Sequence, residues 1–265
     1  MKQAIKFFII FNTFFISYVN ACSIKESQKI GLYSGAMTSL LKELGLAASK
    51  NISFHSSYFP IGNKFSKELK GGLFAAKKNF ENLSADVIFY DDSSDLRKLF
   101  ESVGYKNMIA IKTAGLTPFE VSELTIKYLR PLLIDCEDKI QSISEMKNKL
   151  KLKKLSLEKV LFFIGEIKEE KLPQLIMVND GFVKYLKNNE AIKTYDTELA
   201  YVTWSERIIK KYKDEGYLFI GLINNENSFK VQKINDTIYN IYCSGCLLPG
   251  LSQISFLQQL IDYKF

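Results

Sequence analysis

Short apolar runs alternate with amphipathic helical periods in two stretches of this chain. The first stretch has predicted strands at 29–33, 51–54, 85–90 and 108–112, with helical periods at 34–44, 74–83 and 95–103. The second stretch has predicted strands at 159–164, 175–178, 217–223 and 237–242, with helical periods at 181–187, 205–212 and 251–263. Such alternation is typical of a lobe with a mostly parallel sheet, so the sequence predicts two α/β lobes.

A helical stretch joins the two lobes. Residues 117–156 keep a helical period of apolar positions, among them Val121, Leu124 and Ile140. Pro131 lies inside this pattern and is expected to kink the helix or divide it in two, because proline lacks the backbone N–H that a helix interior uses. We therefore predict two α/β lobes joined by a single long helical spine, with a ligand cleft between the lobes. The expected boundaries are 1–21 for a signal peptide, 22–116 for the N-terminal lobe, 117–156 for the connector and 157–265 for the C-terminal lobe.

The N-terminus predicts export. Lys2 and Lys6 precede an apolar run over 7–19, which is too short to span a bilayer comfortably, and Ala21 precedes Cys22. The sequence Val-Asn-Ala-Cys at this point resembles a bacterial lipobox, in which case Cys22 receives lipid after cleavage and anchors the mature chain to a membrane. The alternative is ordinary cleavage after Ala21, which leaves Cys22 as a free thiol. We expect a periplasmic or cell-surface protein, and the lipobox favours a membrane-anchored lipoprotein.

Composition narrows the possible functions. The formal charge is +7, but nucleic acid is not an expected partner for an exported protein. Hydrophobic residues make up 47% of the 265, which is enough for a substantial core, and four cysteines are too few for a scaffold built from disulfides. His55 is the sole histidine, so the chain cannot supply the several imidazoles of a zinc or manganese site, and we expect no protein-bound metal.

Cys243 and Cys246 form a C-x-x-C pair that leaves several interpretations open. The pair could be a redox centre, half of a zinc site, a tight structural disulfide or two plain thiols. A zinc site needs two more ligands, and the sequence has no second C-x-x-C. The pair also precedes Leu-Leu-Pro-Gly near the C-terminus instead of opening a helix after a strand. A structural role is therefore favoured, and catalysis remains the lesser alternative.

Several segments resemble a known family. They lie at 30–46 (IGLYSGAMTSLLKELGL), 53–60 (SFHSSYFP), 83–89 (LSADVIF), 204–206 (WSE) and 248–251 (LPGL). Together they resemble the substrate-binding proteins of bacterial ABC importers whose two lobes are bridged by one long helix. The resemblance implies a monomer that captures a ferric siderophore, haem or cobalamin and delivers it to an ABC permease in the inner membrane. It implies no enzymatic activity and no cofactor, although the ligand may itself be a metal chelate.

The resemblance also implies residues that dock on the permease. In many family members a glutamate opens a helix in each lobe and pairs with arginines of the permease, and Glu206 fits that place in the second lobe. In the first lobe the best register places Lys78 there, with Glu81 three residues late. An arginine opposite Lys78 would be repelled, so either the partner differs or the register is wrong. A binding-fold lipoprotein without a transport role is therefore kept as an alternative, beside the less favoured C-x-x-C redox protein.

Ligands of such sheets bind at the carboxyl ends of the parallel strands. Three candidates have a second interpretation: Tyr90 as the buried end of a strand, Trp204 as a core anchor, and His55 as a cap of its loop. Arginines are few, and Asp91, Asp92 and Glu166 add negative charge, which favours a neutral or cationic chelate. The candidate ligand-binding residues are Tyr33, Ser34, His55, Ser57, Tyr58, Tyr90 and Asp91 from the first lobe and Glu166, Lys168, Tyr201, Trp204 and Asn224 from the second.

Overall fold

The structure is a computed structural model that describes residues 22–59, 67–69, 80, 83–150, 157–168, 171–178, 180–195, 197–225 and 229–263. The predicted signal peptide at 1–21 lies outside the described residues, as do Lys78 and Glu81. No helix among the described ranges is long and apolar enough to cross a membrane.

The first lobe is built on a five-stranded parallel sheet. Its strands run in the order β4-β3-β2-β5-β6, and the predicted strands at 29–33, 51–54, 85–90 and 108–112 are confirmed within it. Helix α1 (Gly35–Glu43) begins at Ser34, whose side chain accepts a hydrogen bond from the Met37 N–H, and α2 is Ser94–Ser102. The strands are β1 (Ser23–Ile24), which lies outside this sheet, β2 (Ile30–Tyr33), β3 (Ile52–Ser56), β4 (Lys67–Leu69), β5 (Val87–Asp91) and β6 (Met108–Ile111).

The connector consists of two helices, α3 (Pro118–Leu129) and α4 (Glu137–Lys149). A 3-10 turn containing Pro131 (Arg130–Leu132) and the short strand β7 (Leu133–Ile134) separate them. The predicted helical connector and its division at Pro131 are confirmed. The proline ring clashes with the carbonyl four residues earlier and removes a helical hydrogen bond, so the chain turns and pairs β7 with β1.

The second lobe contains a mixed six-stranded sheet in the order β10-β9-β8-β11-β13-β12. Its central strands β8 (Val160–Ile164), β11 (Leu218–Asn224) and β13 (Ile238–Cys243) are parallel, as predicted. The antiparallel margins are β9 (Leu175–Met177), β10 (Tyr201–Thr203) and β12 (Lys230–Lys233); of these, β10 and β12 were not predicted. The helices are α5 (Gly181–Asn188), α6 (Glu206–Asp214) and α7 (Leu251–Asp262).

Helix α7 holds the two lobes together. Its residues Leu251 and Ile254 pack in the core of the first lobe with α1 and α3, whereas Phe256, Leu257 and Leu260 pack in the core of the second. The Ser252 N–H donates to the Ser39 hydroxyl over 2.7 Å, and Ser255 donates to the Glu43 carboxylate. One helix thus contributes to both cores and fixes how the lobes lie against each other.

All four cysteines are paired. Cys22 forms a disulfide with Cys136, and Cys243 forms one with Cys246. A sulfur bonded to a second sulfur cannot also form the thioether of a lipid anchor, so this disulfide and the predicted lipidation of Cys22 are mutually exclusive.

Candidate ligand-binding cleft

The first lobe has a topological switch point between β2 and β5. From β2 the chain passes to β3 and β4 on one side, and from β5 to β6 on the other, which leaves a crevice at the carboxyl ends of these two strands. Ser34 follows β2, and Asp91 is the last residue of β5. The Gly35 N–H donates to the Asp91 Oδ2 atom over 3.3 Å, so the two predicted site residues Ser34 and Asp91 are brought together.

Asp91 is a partly buried carboxylate at this switch point. Burial raises its pKa above the ordinary value, and hydrogen bonds from the Ser34 side chain and the Gly35 N–H oppose the shift. Among the residues that the structure describes, the buried Asp91 Oδ1 atom has no hydrogen-bond partner. The crevice therefore contains an acidic group whose hydrogen-bonding capacity is only partly used.

Three predicted site residues of this lobe are buried in its core. Tyr33 and Tyr90 are register partners on β2 and β5, and both pack edge-on against the ring of Phe100. His55 is 4% exposed, and its Nδ1 atom lies 3.1 Å from the Ser56 carbonyl oxygen. Their positions on the strands direct these side chains inward, so in this structure they do not line an open cleft.

The loop after β3 is the exposed part of the first-lobe site. Tyr58 is 71% exposed, Ser57 is half-buried, and the Tyr58 N–H donates to the Ser56 hydroxyl. The next residue, Phe59, packs beside Gly35: a Cβ atom on Gly35 would lie 3.0 Å from the Phe59 ring and 3.4 Å from Pro249 of the second lobe. Gly35 is therefore the point where this loop and the second lobe approach α1.

In the second lobe, Asn240 holds the loop after β8. It is 1% exposed, its Oδ1 atom accepts from the Ile167 N–H over 2.8 Å, and its Nδ2 atom donates to the Ile167 carbonyl over 2.9 Å. The loop crosses β11 at Gly221, where a Cβ atom would lie 2.6 Å from the Gly165 carbonyl oxygen. Glu166 and Lys168 are thereby fixed at the surface, with the Lys168 Nζ atom 3.5 Å from the Glu166 carboxylate.

Asn224 and Trp204 have structural partners. The Asn224 Oδ1 atom accepts from the Gly245 N–H over 2.8 Å and so holds the turn between Cys243 and Cys246. The Trp204 Nε1 atom donates to the Pro173 carbonyl over 2.6 Å, and the half-buried indole packs against one core cluster of the second lobe. These contacts support the core-anchor interpretation of Trp204.

A pocket of about 290 Å³ lies between the lobes. The segment after β6 forms one wall, and the starts of α5, β10 and α7 form the other. Of the residues predicted for the site, Tyr201 lines this pocket and is 46% exposed. The lining residues are Thr113, Ala114, Gly115, Leu116, Asp180, Gly181, Ala200, Tyr201, Leu247, Pro249 and Gln253.

Asp180 is the charged residue of the pocket lining. It is 8% exposed and caps α5 by accepting from the Val183 N–H over 2.9 Å. Burial raises its pKa from the ordinary 3.8 to about 6, against the effect of hydrogen bonds from the Val183 and Phe182 N–H groups. Burial of the Tyr201 hydroxyl, with the nearby Asp180 charge, raises the pKa of Tyr201 to about 12. The tyrosine therefore remains a hydrogen-bond donor at neutral pH.

Comparison with solved structures identifies the fold. The chain superimposes on the periplasmic vitamin B12 binding protein BtuF of Vibrio cholerae with a TM-score of 0.62 at 11% identity, covering 89% of this chain and 96% of that one. It matches an ABC-type Fe3+-hydroxamate transport protein of Saccharomonospora viridis with a TM-score of 0.62 at 11% identity (89% and 92% covered). FhuD2 of Staphylococcus aureus with bound ferrioxamine B gives 0.57 at 13% identity (89% and 98% covered). The chain has the solute-binding-protein fold.

Comparison by sequence alone finds no relative of this chain. No protein-family model matches the chain, and no curated protein matches it. The match to the solute-binding-protein fold is therefore a match of architecture, with two mainly parallel sheets and a helical connector.

Sequence reasoning missed Asp180, Thr113 and Gln253 in this fold. The signal for Asp180 was local, because Asp-Gly before an amphipathic period predicts the start of a helix. The structure places Asp180 at the N-cap of α5, as this pattern predicts. The close approach of Gly181 to the first lobe, where a Cβ atom would overlap the Leu116 carbonyl oxygen, is what turns this cap toward the pocket. That contact joins residues far apart in sequence and has no local pattern.

The remaining candidates are an exposed acid and a buried cysteine pair. Glu206 is exposed as the first residue of α6, after Ser205 has capped the helix by accepting from the Ile208 N–H. Cys243 and Cys246 are both buried, and disulfide exchange needs an accessible sulfur, which disfavours the redox alternative. Within the described ranges, no group of three or more histidine, cysteine, aspartate and glutamate side chains could hold a metal ion.

We predict that Asp180→Asn flattens the dependence of stability on pH. The raised pKa means that the folded state binds a proton more tightly than the unfolded chain, so this stabilisation is complete below pH 3.8 and is lost as the pH rises through about 6. Asparagine keeps an oxygen for the Val183 N–H and carries no charge. Between pH 4 and 7.5 the wild type should lose about 2 kcal/mol relative to the variant, measured by urea unfolding.

The control for this prediction is Asp214→Asn, which removes an exposed carboxylate at the end of α6. It should follow the wild-type pH profile. Parallel profiles for the wild type and Asp180→Asn would show that Asp180 is not the buried acid described here.

Proposed function

We propose that this chain is an extracytoplasmic solute-binding protein of an ABC importer and captures a metal chelate between its lobes. The observation that carries the proposal is the interlobe pocket: loops from both lobes line it, in a fold that known solute-binding proteins share. The protein's part is capture without chemistry. Contacts between the lobes through α7 restrict their relative motion, so ligand binding requires only small adjustments.

The charge of the site supports a neutral or cationic chelate. The lining of the interlobe pocket contains the Asp180 carboxylate and no lysine or arginine among the described residues, and the first-lobe crevice adds Asp91. A tris-catecholate complex of iron is strongly anionic and would be repelled by these carboxylates. The Lys184 ammonium lies at the pocket wall, where it donates to the Gly115 carbonyl over 3.0 Å, and is one cation against the two carboxylates. Ferric hydroxamates and cobalamin avoid that repulsion. A volume of about 290 Å³ suits a protruding arm of such a ligand rather than the whole chelate.

The direct test is isothermal titration calorimetry of the purified mature chain with ferrioxamine B, cyanocobalamin, haemin and a ferric tris-catecholate. We expect saturable one-to-one binding of a neutral or cationic chelate and much weaker binding of the tris-catecholate. Absence of saturable binding to all four would overturn the proposal. Tight binding of the tris-catecholate alone would retain the carrier and overturn the charge argument.

We expect Tyr201→Ala to weaken binding of the chelate about tenfold or more, because an exposed aromatic ring at the pocket supplies contact area and a hydroxyl donor. The same calorimetric titration measures the effect. The matched control is Tyr263→Ala, which removes another exposed tyrosine that does not line this pocket. Equal losses in the two variants would remove Tyr201 from the binding site.

We further propose that Glu206 docks on the permease. It is exposed at the start of α6 and is not among the pocket-lining residues, so binding and docking can be separated. Glu206→Arg should leave the calorimetric affinity unchanged and reduce chelate uptake by cells severalfold, since it turns an attraction to arginines into a repulsion. Glu215→Arg, at the other end of the same helix, is the control. Unchanged uptake with Glu206→Arg would point to a binding protein without a transport role.

A further inference from the structure

The segment that begins at Cys22 is fixed to the folded body. Cys22 is 9% exposed and belongs to the core cluster of the first lobe, while its partner Cys136 lies at the start of α4. Directly after Cys22, strand β1 pairs antiparallel with β7, with Ser23 opposite Ile134 and Ile24 opposite Leu133. The Lys25 N–H continues the pairing by donating to the Leu132 carbonyl over 2.9 Å.

Asn51 fixes the next turn of chain. Its side-chain amide donates to the carbonyls of Lys25, Glu26 and Gln28 over 2.9, 3.2 and 2.9 Å. Strand pairing and the hydrogen bonds from the Asn51 side chain therefore restrain the chain from Ser23 to Gln28. A lipid on Cys22 would have no spacer between its acyl chains and the folded lobe, and the modified sulfur would have to leave the core.

We propose that Cys22 is a structural half-cystine paired with Cys136, and that the mature chain begins at Cys22 by ordinary cleavage without lipid. The two outcomes compete for one atom, because the Cys22 sulfur forms either an S–S bond or a thioether. In the oxidation, two S–H bonds break and one S–S bond forms. The two electrons and two protons pass to the disulfide of an extracytoplasmic thiol–disulfide oxidoreductase, which is reduced to a dithiol.

The division of the connector at Pro131 brings the two cysteines together. The turn at Pro131 presents β7 to β1, and Cys136 follows β7 at the point where it meets Cys22. The disulfide thus ties the start of the first lobe to the middle of the connector. The result is a chain released outside the cytoplasm instead of one held by its N-terminus.

The experiment expresses the full chain in a bacterium that has both an ordinary and a lipoprotein signal peptidase, in medium with labelled palmitate. We expect the chain in the soluble extracytoplasmic fraction, unlabelled. Its non-reducing peptide map should show the peptide that begins at Cys22 joined to the one that contains Cys136, lighter by two hydrogen atoms than the two separate thiol peptides. An acyl chain on Cys22, a free Cys22 thiol, or a mature chain that lacks Cys22 would each overturn the proposal.

The variant Cys136→Ala separates the two possibilities further. If the disulfide is correct, this change leaves an unlabelled chain whose Cys22 reacts with a maleimide after unfolding. If Cys22 is lipidated, the change has no effect on palmitate labelling, and Cys22 stays unreactive. Because the peptide map is made on the wild type, the test does not depend on whether the variant folds.

Discussion

Asn240→Leu is expected to lower the free energy of unfolding by about 3–4 kcal/mol. Leucine removes both hydrogen bonds to Ile167 and leaves its buried N–H and carbonyl without partners, each at a cost of about 1–3 kcal/mol. The branched side chain must also fit beside Gly221, where a Cβ atom would already lie 2.5 Å from the Asn240 Oδ1 atom. Urea unfolding followed by circular dichroism measures the loss.

The same change should free the loop that carries Glu166 and Lys168, so we expect faster amide hydrogen exchange at Ile167 under native conditions. The matched control is Gln232→Leu, which alters the exposed register partner of Asn240 on β12 and removes one exposed hydrogen bond from the Tyr242 hydroxyl. It should change the stability by no more than about 1 kcal/mol. Similar losses in the two variants would mean that the amide does not hold the loop.

The second large effect concerns the disulfide between Cys22 and Cys136. Its sequence separation is 114 residues, so it encloses the whole first lobe. In the chain-entropy account, removing a cross-link that closes a loop of this size costs about 4–5 kcal/mol. Cys22→Ala, Cys136→Ala and the double variant should each lose about 4 kcal/mol, measured by urea unfolding under non-reducing conditions.

The near-equality of these three losses is the decisive result. It gives a coupling energy of about 4 kcal/mol between the two positions, above the roughly 0.5–3 kcal/mol that unbonded residues in contact show. With an added reductant, the wild type and the three variants should converge to within about 1 kcal/mol of one another. Additive losses of about 1 kcal/mol per substitution would mean that the two sulfurs are not joined.

Much of the architecture followed from local patterns. The central strands of both sheets are short apolar runs that periodicity identifies. Pro131 divides the connector because proline lacks the backbone N–H that a helix interior needs, which is a property of that residue alone. Besides the two-residue strands β1 and β7, the prediction missed β4, β10 and β12, which lie at sheet margins and contain charged or polar residues such as Lys67, Glu68 and Gln232. Their pairing depends on a neighbouring strand rather than on their own apolar content.

The candidate site was less predictable than the fold. Ser34 and Asp91, both chosen because they lie at strand ends, do lie side by side, because register places the ends of parallel strands next to each other. The same rule placed Tyr33 and Tyr90 in the cleft, although the face of the sheet to which a side chain points decides whether it meets a ligand or the core. Asp180 was missed because it caps a helix, and only the approach of Gly181 to Leu116 brings it to the other lobe.

By itself, the sequence determined two α/β lobes, a connector broken at Pro131, and an N-terminal segment with the pattern of an export signal. These features depend on periodicity and on the chemistry of single residues, and both can be determined from the sequence alone. The tertiary structure alone decided the partner of Cys22, the burial of His55, Tyr33 and Tyr90, and the joining of the lobes through α7. Each of these depends on contacts between residues far apart in sequence, and such contacts form only when the lobes pack.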